Sequence, residues 1–333
     1  MDERSALLAW YRRGHRELPW RGTKDPYRVW LSEVMLQQTR VETVKSYYER
    51  FLRLFPTVQA LAGADPAQLE KAWEGLGYYR RVRNLQKGAI QVVTQFGGVI
   101  PRTYAELRSL CGVGDYTAGA IGSICFDLPT PAVDGNAERV YARLFAQQPG
   151  RTEIARQLLP WYRSGDCGEL TQALMELGAT VCIPNGTPKC EECPFFSVCR
   201  ARSQGQIEAF PQKKPKKSRP VDVLTVFCLR CDTALALRQR GENGLLAGLW
   251  ELPNVPGKLT AEQAAQQLSR WGVHPLQPLK IVEKSHIFTH REWKMQCHYW
   301  SCSSMSDRFI WASPEELASR YALPTAFRKF IEP

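Results

Sequence analysis

The sequence lacks any run of apolar residues long enough to cross a membrane. No stretch of the 333 residues approaches the roughly eighteen that a spanning helix needs. The N-terminal stretch MDERSALLAWYRRGH carries early acids and no continuous apolar core, so it is not typical of a signal or transit peptide. Internal repeats and long low-complexity tracts are absent as well. We therefore expect a protein of the bacterial cytoplasm.

Acidic residues are fewer than basic ones. The chain has 44 Lys and Arg against 33 Asp and Glu, which gives a formal charge of +11 and a pI near 9.2. This balance favours a polyanionic partner, although many basic proteins bind no nucleic acid. The length is sufficient for two domains, each with its own core.

The pattern of apolar residues changes along the chain. From about residue 26 to 200 they recur at spacings of three and four, which predicts a mostly helical domain at 1–205. The tract PQKKPKKSRP, 211–220, predicts an extended basic linker within 206–221, which could also contact phosphates. Beyond it, alternating runs such as VDVLTVFCLRC predict a smaller α/β domain at 222–333.

Four cysteines lie within the segment CIPNGTPKCEECPFFSVC, 182–199: Cys182, Cys190, Cys193 and Cys199. Four soft thiolates so close together suit a 4Fe–4S cluster or a structural zinc. A zinc ribbon usually has two CxxC knuckles, whereas this segment has one, which favours the cluster and leaves zinc as the alternative. Disulfides are a weaker interpretation, because the eleven cysteines are odd in number and no secretory signal is present.

The segment 25–44 is expected to form one helix that carries a buried acid. At about 100° per residue, its apolar arc of about 140° includes Glu33. Burial would raise the pKa of this carboxyl and let it hold a proton near neutral pH. The alternative is a structural ion pair between Glu33 and Arg21 or Arg28. The residues of the arc are Val29, Trp30, Val34, Gln37, Val41 and Val44.

Glycines in LCGVGDYTAGAI, 110–121, predict a tight turn between two helices. Gly112 and Gly114 would direct backbone N–H groups outward at a helix start, where they can bind phosphate without sequence preference. An ordinary helical hairpin is the alternative, but the surrounding residues match a helix–hairpin–helix motif.

A second acid lies about twenty residues later, in PAVDGNAERVYARLF. Asp134 and Asn136 stand where a helix is about to begin, and either could cap it. A carboxylate beside helix N–H dipoles is expected to stay ionised. One protonated and one ionised carboxyl, here Glu33 and Asp134, is the pairing that glycosidic bond cleavage uses.

Together these motifs resemble the MutY-type adenine DNA glycosylases of the endonuclease III superfamily. The resemblance spans nearly the whole chain, through LPWR (18–21), DPYRVWLSEVMLQQT (25–39), WEGLGYYRRVRNL (73–85), LCGVGDYTAGAI, VDGNAERV (133–140), MELGA (175–179), the cysteine segment and GLLAGLWELPN (244–254). It implies a six-helix barrel with an iron–sulfur subdomain, followed by a Nudix-like domain. It also implies a monomeric, nucleoid-associated enzyme that acts on duplex DNA containing adenine mispaired with 8-oxoguanine or guanine.

The resemblance assigns roles to the two acids and their neighbours. Glu33 would protonate the flipped adenine at N7 and position water, and Asp134 would stabilise the oxocarbenium-like sugar electrostatically or by transient covalent attachment. Tyr116 and Asn136 would support them. Residues assigned to the adenine pocket are Trp20, Arg21, Leu36 and Glu176. Residues assigned to the opposite base are Gln38, Thr39, the wedge Tyr78, and Phe288, Thr289 and His290 of the second domain.

Four features of the sequence refine what the resemblance implies. Bifunctional relatives carry a lysine where this chain has Tyr116, which predicts a monofunctional glycosylase. The first cysteine gap is seven residues, where the family commonly has six, and Thr289 replaces the usual serine. Glu262 is the only acid in LTAEQAAQQL, so the Nudix-like domain is not expected to bind magnesium or hydrolyse nucleotides. A pyrimidine-lesion or mismatch glycosylase on the same scaffold and a non-enzymatic damage-binding protein are the rival hypotheses.

Overall fold

The computed structural model describes residues 2–212 and 218–331. The chain divides into two compact units, which we call the helical unit (Met1–Ala64 and Arg80–Pro215) and the mixed unit (Asp65–Tyr79 and Lys216–Pro333). The segment 65–79 thus groups with the second half of the chain. The predicted boundaries had placed it in the helical domain at 1–205. Lys213, Lys214, Lys216 and Lys217 of the predicted linker lie outside the described residues.

The first half of the chain is helical, as its periodicity predicts. Its helices are α1 Glu3–Arg13, α2 Pro26–Leu36, α3 Val41–Leu54, α4 Val58–Ala62, α5 Pro66–Ala72, α6 Arg80–Gln95, α7 Tyr104–Ser109, α8 Asp115–Phe126, α9 Gly135–Phe145, α10 Arg151–Tyr162, α11 Cys167–Thr180 and α12 Arg200–Ser203. Only α5 of these belongs to the mixed unit. None of the described helices is both long and apolar enough to cross a membrane.

A core cluster of the helical unit packs α1, α9, α10 and α11 together. Leu7, Tyr141, Leu158 and Leu177 are nearly or fully buried within it. The α9 and α11 backbones approach closely at Gly178, where a Cβ atom would lie 2.5 Å from the Cβ of Asn136. This close packing holds the N-terminus of α9, and with it Asp134, in a fixed place.

The expectation of one helix over 25–44 is wrong, because α2 ends at Leu36 and α3 begins at Val41. Gln38 between them has a left-handed backbone, with φ 58°. The guanidinium of Arg81, from α6, donates hydrogen bonds to the carbonyls of Val34, Met35 and Gln37 at 2.6–3.0 Å. These carbonyls would otherwise lack partners at the helix end. A side chain distant in sequence therefore ends α2.

The mixed unit is built on one sheet with the strand order β3-β2-β1-β6-β5, in which β1 and β6 run parallel. Its elements are β1 Val221–Cys231, β2 Ala234–Gln239, β3 Trp250–Glu251, β4 Asn254–Pro256, α13 Ala261–Arg270, β5 Pro275–Ile287, β6 Glu292–Cys302, β7 Ile310–Ala312, α14 Pro314–Ser319 and α15 Thr325–Arg328. Alternate residues of β1 enter two buried clusters: Val226 packs with Phe327 of α15, and Phe227 with Leu268 of α13. This is the period-two alternation that the sequence predicts.

Candidate active site

A cavity of about 580 Å³ opens in the helical unit between the C-terminal end of α2 and the N-terminal ends of α8 and α9. Its walls include nine residues to which the resemblance assigns catalysis or base recognition. They are Trp20, Arg21, Glu33, Leu36, Gln38, Thr39, Tyr116, Asp134 and Asn136. The structure thus brings together residues separated by more than a hundred positions in the chain.

Glu33 lies on α2 with only 5% of its surface exposed. The pKa of Glu33 is raised to about 7: burial raises it most, the hydrogen bond from the Tyr116 hydroxyl lowers it, the charge of Asp134 raises it and the charge of Arg21 lowers it. The alternative ion pairs are not formed: Arg28 lies 3.7 Å from Asp25, and Arg21 pairs with Glu176. The raised pKa supports the prediction that Glu33 holds a proton near neutral pH.

Asp134 is the N-cap of α9. Its carboxylate accepts hydrogen bonds from the backbone N–H of Asn136 (2.9 Å), the backbone N–H of Ala137 (2.7 Å) and the Asn136 side-chain amide (2.7 Å). The pKa of Asp134 is raised above its ordinary value, because the effect of burial outweighs the lowering effect of these three donors. Three N–H groups at a helix N-terminus favour the charged form, so ionisation at neutral pH remains our prediction.

Arg139 fixes the orientation of the Asn136 amide. Its guanidinium donates to the Asn136 Oδ1 atom at 2.8 Å and to the Gly178 carbonyl at 2.7 Å. The Asn136 nitrogen is thereby directed at Asp134. The Nε atom of Arg139 also donates to the Cys182 carbonyl at 2.7 Å, which ties the start of the cysteine segment to the cavity. Sequence reasoning missed Arg139, although its place one turn after Asn136 was a usable signal.

Glu176 supports the cavity from outside its lining. Its buried carboxylate accepts bonds from Arg16 at 2.8 Å and from Arg21 at 2.5 Å. Although burial acts to raise it, hydrogen bonds from the two arginines lower the pKa of Glu176 to about 2. Arg16 lines the cavity and was also missed by sequence reasoning. Glu176 therefore holds Arg16 and Arg21, two residues of the cavity wall, by ion pairs.

The glycine hairpin has the predicted form between α7 and α8. Gly112 has a φ of 77°, and a Cβ atom there would lie 2.8 Å from Asn84. Gly114 is the N-cap of α8, and both glycines are exposed. Buried Leu110 and Val113 anchor the turn. The hairpin therefore presents open backbone at the start of the helix that carries Tyr116.

Two of the four cysteines of the 182–199 segment, Cys182 and Cys199, contact Arg143 of α9. Arg143 donates from its guanidinium to Cys182 Sγ at 3.3 Å, and its carbonyl accepts from Cys199 Sγ at 3.3 Å. Burial raises the pKa of Cys193 to about 12, and Cys182, Cys199 and Cys190 raise it further. Across the described residues, no three Cys, His, Asp or Glu side chains form a metal-binding group. The four thiols of this segment are soft donors, and that chemistry fits a soft metal centre.

The mixed unit carries the remaining predicted residues. Phe288 packs against Trp293, with ring centroids 4.9 Å apart, and belongs to the edge of the core. Its N–H donates to the Arg291 carbonyl at 2.9 Å, which closes the β5–β6 turn and leaves Thr289 and His290 exposed. Tyr78, 46% exposed, shares a hydrogen bond between its hydroxyl and that of Thr289. Tyr78 and Thr289 therefore form one exposed pair.

Comparison with known proteins supports the family that the sequence resembles. The family of HhH-GPD superfamily base excision DNA repair proteins matches residues 31–163, and the NUDIX domain family matches residues 225–333. A Rattus norvegicus protein named adenine DNA glycosylase is 38% identical over 86% of this chain and 68% of its own length. The Schizosaccharomyces pombe protein of that name is 29% identical over 94% of this chain and 85% of its own.

One solved structure, a thermostable thymine-DNA glycosylase, aligns with a TM-score of 0.57 and 26% identity over 60% of this chain and 95% of its own. The acids in one cavity, the glycine hairpin, the mixed sheet and these relatives agree. They confirm the fold class and the family that the sequence resembles: this chain belongs to the adenine DNA glycosylase family, with a helical HhH-GPD domain followed by a NUDIX domain.

Proposed function

We propose that this protein hydrolyses the N-glycosidic bond of adenine mispaired with 8-oxoguanine or guanine in duplex DNA, without cutting the strand. The observation that carries the proposal is the placement of Glu33 and Asp134 in one cavity, where burial raises the pKa of Glu33 to about 7. Glycosidic cleavage needs a proton donor on the leaving group and a negative charge near the developing oxocarbenium ion.

The target adenine must leave the base stack to reach Glu33, because its reacting atoms are inaccessible inside a duplex. The cavity, of about 580 Å³, is within the size range of small-ligand pockets. Trp20 is 6% exposed and packs edge-on against Tyr48, so it provides a rigid apolar wall. Adenine would bind beside this wall, with N7 toward Glu33.

In the reaction, the Glu33 proton moves to N7 and the C1′–N9 bond breaks, with its electron pair leaving on the base. The negative charge of Asp134 stabilises the positively charged sugar. Water then adds to C1′, and the Glu33 carboxylate accepts a proton from it. The Tyr116 hydrogen bond holds the Glu33 carboxylate in place. Because burial raises the pKa of Tyr116 well above its ordinary value, this hydroxyl remains a donor.

Position 116 accounts for the proposed absence of strand cleavage. A lyase needs an amine that attacks C1′ and forms a Schiff base. Tyr116 offers no amine, and water remains the nucleophile. Free adenine and an intact strand with an abasic site are the expected products.

Gln38 and Thr39 of the helical unit would contact the base opposite adenine. They follow α2, where Arg81 donates hydrogen bonds to the Gln37 carbonyl and to the Thr39 hydroxyl. Tyr78 would fill the space beside the mispair, and Thr289 and His290 would contact the lesion base from the β5–β6 turn. Phe288 would support that turn rather than touch the base, because it packs against Trp293.

DNA is the partner that the family and the charge of +11 support. The N–H groups around Gly112 and Gly114 would bind phosphate without reading sequence. We further propose that the protein acts as a monomer on nucleoid DNA in a bacterial cytoplasm.

The cysteine segment would hold a 4Fe–4S cluster through Cys182, Cys190, Cys193 and Cys199. Four thiols in one loop supply the soft donor set of such a cluster, and the family supports it. When bound, the cluster would supply structural support and no hydrolytic chemistry. Arg139 and Arg143 would connect the loop to α9 by the hydrogen bonds described above.

The test is a duplex with one adenine opposite 8-oxoguanine, incubated with the protein and then divided between hot alkali and neutral buffer. Strand breaks at the adenine only after alkali are the expected result. Breaks without alkali would contradict the role of Tyr116. Tight binding with no breaks in either half would favour a damage-binding protein, and release of a pyrimidine would favour the rival glycosylase.

A further inference from the structure

The segment Asp65–Tyr79 lies between two helices of the helical unit in sequence, yet packs as part of the mixed unit. It contains α5 and the turn that carries Tyr78. The chain therefore passes between the units at three places: after Ala64, after Tyr79 and near Pro215. Something in the mixed unit must hold this short segment firmly.

Lys71, at the end of α5, makes three polar contacts. Its ammonium donates to Glu74 at 2.7 Å, to the Leu317 carbonyl at 2.6 Å and to the Tyr321 carbonyl at 3.2 Å. The two carbonyls belong to the α14 region, about 250 residues away in sequence. The two carbonyl contacts are long-range and join α5 to the α14 region.

Glu74 completes the arrangement. It is 8% exposed, accepts a hydrogen bond from the Leu323 N–H at 2.7 Å, and lies 3.3 Å from the Arg328 guanidinium. We call Lys71, Glu74 and Arg328, with the Leu323 amide, the Glu74 clamp. A carboxylate this buried is stable only when its partners are in place, so the clamp favours one position of the segment.

Four residues after Glu74, the chain reaches Tyr78. Gly77 and Tyr78 both have left-handed backbones, with φ of 69° and 49°. The Trp73 indole N–H donates to the Gly77 carbonyl at 3.0 Å, which stiffens the turn. The Tyr78 hydroxyl then reaches that of Thr289. A rigid path thus leads from the clamp to the exposed Tyr78–Thr289 pair.

We propose that Glu74 is a positioning residue that sets discrimination of the base opposite adenine. By docking the turn on the mixed unit, it keeps Tyr78 and Thr289 together as one reading element. The inference rests on the proposed function, in which this pair faces the lesion strand. Glu74 itself would contact neither DNA nor the reacting atoms.

The test compares kcat/KM for adenine opposite 8-oxoguanine with that for adenine opposite guanine, in the full-length holoprotein. Glu74→Ala is expected to lower the ratio about tenfold, a size usual for coupled residues. Tyr78→Ala is expected to lower it similarly, and the double variant no further than Tyr78→Ala alone. Independent, multiplying losses in the double variant, or an unchanged ratio in Glu74→Ala, would overturn the proposal.

Glu251→Ala is the matched control. Glu251 is 1% exposed in the same unit and is paired with Arg238 and Arg240, but lies outside the segment. The Glu251→Ala variant is expected to have a lower melting temperature and an unchanged ratio of the two kcat/KM values. An equal fall of the ratio in this variant would show that Glu74 matters only for stability.

Glu74→Gln covers the case in which the alanine variant does not fold. It retains an acceptor for the Leu323 amide and loses both ion pairs, so an intermediate ratio is expected and a wild-type ratio would refute the proposal. Failure of the wild-type protein to release adenine would instead refute the proposed function. The two failures are therefore distinguishable.

Discussion

Replacing Glu33 with glutamine should make the protein less active and, above neutral pH, more stable. Burial raises the pKa of Glu33 from its ordinary 4.5 to about 7. The folded protein therefore holds a proton that the unfolded chain releases above pH 4.5, and stability falls as pH rises from 4.5 to 7. The shift corresponds to a loss of about 3 kcal/mol above pH 7. Glutamine is neutral and accepts the Tyr116 hydrogen bond, so Glu33→Gln should avoid this loss.

The assay is thermal unfolding of both proteins at pH 4.5 and pH 8, together with single-turnover release of adenine. Equal melting temperatures at pH 4.5 and a higher value for Glu33→Gln at pH 8 are expected. Activity should fall by about 10² to 10⁴, the usual contribution of a general acid. In the wild type, release should decline as pH rises through 7.

Glu176→Gln is the opposite-sign control. Hydrogen bonds from two arginines lower the pKa of Glu176 to about 2, so its charge stabilises the fold above pH 4.5 and that stability is lost toward pH 2. This variant should be less stable than wild type at pH 8. Destabilisation of Glu33→Gln at pH 8 would refute our account of its buried carboxyl.

Three further variants test other parts of the site. Gly178→Ala should lower the free energy of unfolding by about 1–3 kcal/mol and reduce adenine release, because the added methyl would lie 2.5 Å from the Cβ of Asn136. Thermal unfolding and single-turnover rates measure the two effects. Wild-type values for both would contradict this prediction. Tyr116→Lys should introduce a covalent intermediate trapped by borohydride, and failure to trap would contradict the monofunctional argument. Cys193→Ala should lower bound iron, measured by metal analysis and visible absorbance, and bound zinc in the wild type would replace the cluster hypothesis.

The burial of Glu33, the capping position of Asp134 and the glycine hairpin were predictable from the sequence, because each depends on residues close to it in the chain. Glu33 falls on the apolar arc of α2, and Asp134 precedes a helix start, where carboxylates cap. Glycine spacing predicted the α7–α8 turn in the same way. These features need no knowledge of distant residues.

Other features depend on partners that sequence spacing does not reveal. The end of α2 is fixed by Arg81, more than forty residues away, so local periodicity wrongly extended the helix. The docking of 65–79 rests on Glu74 and on residues about 250 positions later. The family resemblance places Phe288 at the lesion base, whereas in the structure its ring packs against Trp293.

Gln38 and Tyr78 share one property despite lying in different units: each is a non-glycine residue with a left-handed backbone. Such conformations are uncommon outside glycine and cost of order 1 kcal/mol or more each. A glycine at either position would relax the backbone and delete the side chain proposed to read the opposite strand. Selection for thermal robustness alone would favour glycine there, so retention of glutamine and tyrosine in descendants of this protein would measure how strongly mispair recognition is selected.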